Sequence, residues 1–239
     1  MPLPRRTAPA VNRILAISPH LDDAAFSAGG YLASRERAGD EVTILTCFTG
    51  NVEQPEGFAL ACQLDKGLGP DVDYMALRRA EDEAACAVIG AKPIHLPFLE
   101  APHRGYDSAP ALFAGSHEDD DIVERLRTAI AEQVEELQPD AVLGPLCIGD
   151  HVDHHAVREA MVDLPGVLLW EDWPYLDRSE YTPSSPPAFV HELSDYDRIQ
   201  RLAMCRCFAS QLGFQFGGED ALAKRTAAIS SERFYAPSP

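Results

Sequence analysis

The chain has 239 residues, of which 46% are hydrophobic and 24% charged, which fits one α/β domain with long loops better than two domains. Asp and Glu outnumber Lys and Arg by 38 to 20, so the formal net charge is -18. Such an acidic protein repels a phosphate backbone, and nucleic acid is therefore not an expected partner.

Residues 1–10 are rich in proline and lack hydrophobic periodicity, so we expect a flexible segment before a domain at 11–239. The apolar run at 14–17 is too short for a secretion signal or a membrane span. The six cysteines include no C-x-x-C pair and mostly lie in apolar runs, which is typical of reduced, buried thiols. We expect a cytoplasmic protein without a membrane partner, and leave a homo-oligomer open.

Apolar strand-like runs alternate with helix-like segments along the chain. This order predicts a Rossmann-like, mostly parallel sheet with helices on both faces, in a single α/β domain. The predicted strands are 12–18, 41–48, 92–99, 140–149 and 166–173. The predicted helices are 24–39, 75–90, 117–139 and 154–164, and the predicted long loops are 49–74, a candidate lid, and 173–187.

A polar cluster follows the first predicted strand, where parallel sheets collect their binding sites. It contains His20, Asp22 and Asp23. An imidazole and two carboxylates within four positions suit a metal ion. The alternative is that the Asp-Asp pair only caps a helix.

A second cluster follows the fourth predicted strand in the equivalent place and contains His151, Asp153 and His154. Two imidazoles and one carboxylate are a recurrent ligand set for catalytic zinc, and three protein ligands leave a fourth position open for water. The two clusters together predict a hydrolytic metal site, in which one aspartate of the first cluster binds the metal and the other accepts a proton.

The motif H-L-D-D in the first cluster and H-x-D-H in the second resemble those of the PIG-L (LmbE-like) family of zinc-dependent N-deacetylases. The resemblance implies that His20, Asp23 and His154 bind the metal. It implies Zn²⁺ as the cofactor, with another divalent metal such as Fe²⁺ as the alternative.

The resemblance also implies catalytic roles. Asp22 matches the general base of the family, and His151 matches the residue that stabilises the oxyanion and protonates the leaving amine. Asp153 matches the residue that orients or tunes that imidazole. Two positions depart from the usual H-P-D-D-E motif, with Leu21 in place of proline and Ala24 in place of glutamate, and the second departure bears on substrate preference.

The resemblance extends over most of the chain. Further matches to the family's R-x-x-E-x-x-A-A helix, its L-G ending and its Ser-Gln pair are Arg78, Glu81, Ala84, Ala85, Gly90, Ser210 and Gln211.

Three residues are candidates to contact a polar substrate. Glu100 and Arg104 follow the third strand, where relatives often carry substrate-binding side chains, and Arg78 is the third candidate. The alternative for Arg78 is a helix-surface salt bridge with Glu81 or Asp82.

Two other histidines are predicted not to bind the metal. His155 follows His154 on a predicted helix and points about 100° away from it, so it should be exposed or outside the ligand set. His95 lies in an apolar strand and should be a hydrogen-bonded core histidine.

The predicted function is removal of an N-acyl group, in particular N-acetyl, from a small amino-sugar-like or natural-product metabolite by metal-activated water. A thiol-conjugate amidase or an esterase on the same site is one alternative. A non-catalytic module that binds a metabolite is another, although the sequence has neither a G-x-G-x-x-G turn nor a P-loop.

Overall fold

The computed structural model describes residues 12–237, so the predicted flexible segment at 1–10 lies outside the described residues. The strands are β1 (Arg13–Ser18), β2 (Glu41–Thr46), β3 (Lys92–His95), β4 (Ala141–Pro145), β5 (Val167–Trp170), β6 (Phe189–Glu192) and β7 (Ser231–Tyr235). The α-helices are α1 (Asp23–Arg37), α2 (Gly57–Asp65), α3 (Tyr74–Ile89), α4 (Ile122–Leu137), α5 (Val152–Ala160), α6 (Asp195–Arg206), α7 (Ala209–Phe216) and α8 (Glu219–Ala228). Short 3-10 helices cover Ala101–His103, Pro110–Phe113 and Tyr175–Arg178.

The described strands form one sheet in the order β3-β2-β1-β4-β5-β7-β6. The first five strands of the chain are parallel, while β7 runs antiparallel to both β5 and β6. This architecture confirms the predicted α/β fold with a mostly parallel sheet. The strand order reverses between β1 and β4, and in such sheets that point opens a crevice at the carboxyl ends of the strands.

The two faces of the sheet carry separate hydrophobic cores. In β1, Ile14 and Ala16 pack with α1, α3 and α6, whereas Leu15 and Ile17 pack with α4 and α5 on the opposite face. Successive strand residues point to opposite faces, so a continuous apolar run is what a strand covered on both sides requires. The sheet is therefore enclosed by helices, as predicted.

Some predicted boundaries are wrong. The segment 49–74 is not a loop throughout, because its middle forms α2. This helix has only nine residues and is flanked by glycine and proline, which are typical of loops, so the sequence did not predict it. Helix α4 begins at Ile122 rather than 117, and α5 begins at Val152 rather than 154. The last part of the chain adds α6 to α8 and the antiparallel pair β6 and β7, none of which was predicted.

A buried ion pair joins β7 to α6, and both of its partners also hydrogen-bond the backbone of α1. Arg201 on α6 is 1% exposed and Glu232 on β7 is 4% exposed, and their Nε and Oε1 atoms lie 3.4 Å apart. Glu232 also accepts hydrogen bonds from the backbone N–H groups of Gly30 (3.0 Å) and Tyr31 (2.7 Å) in α1. The Nε of Arg201 donates to the carbonyl of Phe26 in the same helix, at 3.1 Å.

The variant Glu232→Ala should lower the free energy of unfolding by about 3–5 kcal/mol, because it leaves the Arg201 guanidinium buried without its counter-charge. Urea unfolding followed by circular dichroism measures this change. The control is Glu192→Ala on the neighbouring strand β6, where the side chain is exposed and the change should be about 0.5 kcal/mol or less. If both variants lost the same free energy of unfolding, the buried ion pair would contribute no more to stability than an exposed side chain.

Candidate active site and metal centre

A cavity of about 270 Å³ lies at the carboxyl ends of β1 and β4, in the crevice where the strand order reverses. Both predicted clusters contribute to its lining, with the first at the start of α1 and the second at the start of α5. Helix α2 forms part of its wall through Phe58, Cys62, Asp65 and Lys66, the last of which directly follows the helix. Part of the segment 49–74, the candidate lid, therefore forms one wall of the cavity.

His20, Asp23 and His154 come together although the first two are far from the third in the sequence. The Oδ2 of Asp23 lies 3.1 Å from Nδ1 of His20 and 3.3 Å from Nε2 of His154. One ligand atom from each of the three side chains lies within 4.8 Å of the others, and all three residues are buried. A single ion can therefore reach all three.

The imidazole of His154 is oriented by Asp172, which lies two residues after the end of β5. Asp172 accepts a hydrogen bond from Nδ1 of His154 at 2.9 Å, so the proton of a neutral ring lies on Nδ1 and the Nε2 lone pair is free. That Nε2 atom is buried and has no hydrogen-bond partner within residues 12–237. A buried acceptor without a partner, facing a carboxylate, fits a metal ion between them.

The imidazole of His20 is oriented in the same way by Asp153. The Oδ2 of Asp153 lies 2.9 Å from Nε2 of His20, which places the ring proton on Nε2 and leaves the Nδ1 lone pair facing Asp23. The resemblance implied that Asp153 orients or tunes His151. The Asp153 carboxylate bonds His20 rather than His151, while the backbone N–H of Asp153 donates to Nδ1 of His151. Burial lowers the pKa of His151, and the charge of Asp153 opposes that shift.

The charge of the site favours a cation. Burial lowers the pKa of His154, but the fields of Asp23 and Asp172 outweigh burial and raise that pKa to about 9. Burial raises the pKa of Asp23, but His154 and His20 outweigh it and hold the pKa well below its ordinary value. Two imidazole nitrogens and a carboxylate oxygen are a donor set that suits zinc, and the surrounding carboxylates stabilise its charge.

A second group of donors overlaps the first. Ligand atoms of His20, His151 and Asp153 also lie within 4.8 Å of one another. The Asp153 carboxylate is, however, already bound to His20, to the backbone N–H of Ala101 (3.1 Å) and to Arg104 (2.8 Å). These three donors occupy both lone pairs of Oδ2 and one of the two on Oδ1, so the group with Asp23 fits an ion better.

Asp22 lies beside the three donors but is held by a different partner. It is 6% exposed and lines the cavity, and its Oδ2 lies 3.2 Å from the guanidinium of Arg78. Burial raises the pKa of Asp22 to about 6, with Arg78 opposing the shift. A carboxylate with this pKa is ionised at neutral pH and still basic enough to accept a proton.

His151 is the N-cap residue of α5. Its Nδ1 accepts a hydrogen bond from the backbone N–H of Asp153 at 3.2 Å, so a neutral ring carries its proton on Nε2. Burial lowers the pKa of His151 to about 3, which keeps the ring neutral. The side chain lines the cavity and can therefore offer an N–H donor there.

The loop before His151 has an unusual backbone. Cys147, Gly149 and Asp150 have φ angles of 69°, 89° and 59°, in the left-handed region. Any Cβ at Gly149 would lie 2.7 Å from the ring of Tyr175, so only glycine fits there. Strained residues of this kind cluster at functional sites, and here they bring His151 to the cavity.

The three predicted substrate contacts differ in position. Arg78 is 4% exposed and pairs with Asp22 and with Glu100, whose Oε1 lies 2.7 Å from Nη1, so the alternative of a helix-surface salt bridge is wrong. Arg78 and Glu100 both line the cavity. Arg104 is not among the residues that line it, and its guanidinium is bound to Asp153 and Asp120.

The other two histidines lie as predicted. His155 is exposed and pairs with Asp150, with 3.1 Å between Nε2 and Oδ1. His95 bonds Asp82 at 2.8 Å and is largely buried.

Sequence reasoning missed Asp172 and the aromatic wall of the cavity. Asp172 follows β5 at the same edge of the sheet as the two clusters, and that position was the available signal. The aromatic side chains lie in α-helices and short 3-10 helices, at positions that belong to none of the quoted motifs. They are Phe58, Tyr74, Phe113, Tyr175 and Phe214.

Comparisons with known proteins agree with this geometry. The family model described as PIG-L, GlcNAc-PI de-N-acetylase, matches residues 15–164. A 2'-N-acetylparomamine deacetylase of Streptomyces fradiae is 35% identical over 169 residues, which are 68% of this chain and 57% of that protein. A 1D-myo-inositol 2-acetamido-2-deoxy-alpha-D-glucopyranoside deacetylase of Corynebacterium glutamicum (strain R) is 29% identical over 70% of this chain and 57% of its own length.

Solved structures resemble the chain over nearly its whole length. An A40926 pseudoaglycone deacetylase has a TM-score of 0.79 at 30% identity, covering 96% of this chain and 100% of that one. The zinc-inhibited form of a teicoplanin deacetylase has a TM-score of 0.79 at 28% identity, covering 93% and 96%. The matched part of this chain spans only a little over half of the two curated relatives, whereas it spans these solved chains almost completely.

Within residues 12–237, the helices are all too short or too polar to cross a membrane. The family match covers well over half of the chain and contains both histidine and aspartate clusters. The chain therefore belongs to the PIG-L family.

Proposed function

We propose that this chain is a metal-dependent hydrolase that removes an N-acyl group, in particular N-acetyl, from a small amino-sugar-like or natural-product metabolite. One observation carries the proposal. Donor atoms of His20, Asp23 and His154 lie within 4.8 Å of one another, and His20, Asp23 and the neighbouring Asp22 line the cavity.

His20, Asp23 and His154 would hold the ion, with Zn²⁺ as the proposed metal and Fe²⁺ as the alternative. A bound divalent ion would polarise the acyl carbonyl and make water a better nucleophile at neutral pH. The protein contributes the orientation of both imidazoles through Asp153 and Asp172. Carboxylates of this kind fix the ring tautomer and raise the basicity of the ligand.

Asp22 is the proposed general base. Its contact with Arg78 fixes the carboxylate in one place, while burial keeps its pKa near 6. It can therefore take a proton from water during attack on the carbonyl and pass it on to the departing nitrogen.

His151 is the proposed oxyanion donor. Its Nδ1 is occupied by a backbone N–H, so the ring has its Nε2 proton available for the oxygen that becomes negative in the transition state. The ring is held among His20, Phe113 and His154, at centroid distances of 5.0, 5.3 and 5.5 Å. Such packing fixes the donor before substrate arrives.

The cavity wall supports a sugar-like substrate. Aromatic rings offer flat apolar surfaces on which the apolar face of a sugar ring or an aglycone can pack. Phe113 and Phe214 at this cavity are 44% and 55% exposed, which leaves their rings free for such contact. By their names, the relatives are deacetylases of 2'-N-acetylparomamine, of a 1D-myo-inositol 2-acetamido-2-deoxy-alpha-D-glucopyranoside and of the A40926 pseudoaglycone.

Amine release separates the candidate activities. Purified protein loaded with Zn²⁺ or Fe²⁺ should release amine from N-acetylated amino sugars faster than from amides of thiol conjugates, and faster than it hydrolyses acetate esters. Preference for a thiol conjugate or an ester would assign one of the alternative activities to the same site. Turnover of none of these compounds with either metal would contradict the proposal.

The variant Asp22→Asn should lower kcat/KM about 10²–10⁴-fold and leave metal binding intact, because the base is lost and the three ligands remain. Steady-state kinetics and metal analysis of the same sample measure both effects. The control is Asp65→Asn, which changes an exposed carboxylate at the same cavity and should keep most of the activity. Loss of the metal in Asp22→Asn would show that Asp22 is a ligand rather than the base.

The variant Asp172→Asn should weaken zinc binding about 10–100-fold, because His154 loses the carboxylate that orients it. Competition with a chelator of known affinity measures the zinc dissociation constant. Asp150→Asn is the matched control, since it removes a carboxylate bonded to the adjacent but exposed His155. Equal zinc affinity in the two variants would contradict the assignment of His154 as a ligand.

A further inference from the structure

We infer that Arg104 is a positioning residue that fixes the metal ligand His20 through Asp153. The inference rests on the proposed function, since it concerns the same metal centre. It replaces the expectation that Arg104 contacts substrate.

The Asp153 carboxylate has a completely buried side chain, 0% exposed, and faces His20 with one oxygen and Arg104 with the other. Its Oδ2 lies 2.9 Å from Nε2 of His20 and 3.1 Å from the backbone N–H of Ala101. Its Oδ1 accepts a hydrogen bond from Nη1 of Arg104 at 2.8 Å. Arg104 is therefore the arginine that pairs with this carboxylate, opposite the hydrogen bond to His20.

Arg104 is itself held on its other side. Its Nη2 donates to Asp120 at 3.0 Å, and its Nη1 also donates to the carbonyl of Leu99 at 2.8 Å. Asp120 is fixed by the hydroxyl of Tyr106, at 3.0 Å. The guanidinium thus bridges two carboxylates. The Asp153 carboxylate bonds the metal ligand His20, and the Asp120 carboxylate is held by Tyr106.

The ion pairs of Arg104 are largely shielded from solvent. The side chain of Arg104 is 10% exposed and that of Asp120 is 6% exposed, so solvent cannot replace either partner of the pair. A buried carboxylate that loses its cation is strongly disfavoured in place. Removal of Arg104 should therefore displace Asp153 and release the His20 ring, whose Nδ1 then no longer faces Asp23.

Only arginine has the shape for this position. Its planar fork offers donors in two directions, whereas a lysine ammonium is a single point of charge on a flexible stem. The ring of Phe48 also lies under the guanidinium, 4.9 Å from its centre. The surroundings therefore recognise the flat fork as well as its charge.

The test measures zinc affinity of the variants Arg104→Met and Arg104→Lys by chelator competition. Arg104→Met should raise the zinc dissociation constant about 10–100-fold, as expected when a residue that orients a ligand is lost. Arg104→Lys should lie between Arg104→Met and the wild type. At saturating zinc, kcat should fall while KM stays near the wild-type value, and the visible spectrum of the Co²⁺-loaded protein should change.

The control is Arg125→Met, which removes a nearby arginine that pairs with the exposed Asp121 at 3.5 Å and should bind zinc as the wild type does. A purely structural role would lower the melting temperature without changing zinc affinity, and a substrate contact would raise KM alone. Either result would overturn the inference, as would a folded Arg104→Lys protein with wild-type zinc affinity, which decides the matter if Arg104→Met does not fold. Failure of the wild type itself to bind either zinc or Fe²⁺ would instead overturn the proposed function.

Discussion

The site depends on two buried hydrogen bonds between a carboxylate and an imidazole. Asp153 bonds Nε2 of His20, and Asp172 bonds Nδ1 of His154, at 2.9 Å in both cases. Each bond fixes one ring proton and turns the other nitrogen towards Asp23. The metal centre is therefore arranged by the protein before any ion arrives, which lowers the cost of binding one.

The cost of burying so many charges explains the surroundings of the site. Carboxylates at Asp22, Asp23, Asp153 and Asp172 are all nearly inaccessible to solvent. Two of them have arginine partners, Arg78 for Asp22 and Arg104 for Asp153. The other two, Asp23 and Asp172, face His154 instead of an arginine. These carboxylates therefore still require positive charge, and a metal ion at the assigned donor set would supply it.

The fold brings these groups together at the point where the strand order reverses. The loops after β1, β4 and β5 supply His20, His151 and Asp172, and all three loops end at the same edge of the sheet. The loop after β3 supplies Arg104 and Glu100 to the same region. The sheet therefore determines which segments meet, and the loops determine which atoms face one another.

Much of this arrangement could be predicted from the sequence, because strands and clusters are local patterns. His20 and Asp23 stand three positions apart after an apolar run, and His154 stands in the corresponding place after another. The partner of each ring could not be predicted in this way. The pairing of Asp153 with His20 rather than His151, and of Arg104 with Asp153 rather than substrate, depends on contacts between distant segments and on side-chain orientation.

The crystal structure of the zinc-loaded protein, with anomalous scattering measured at the zinc edge, tests the metal centre most directly. One zinc ion should be bonded to Nδ1 of His20, Oδ2 of Asp23 and Nε2 of His154, at about 2.0–2.2 Å from each atom. A zinc ion bonded instead to Nε2 of His20, His151 and Asp153 would contradict this assignment, as would a structure in which zinc binds outside this cavity.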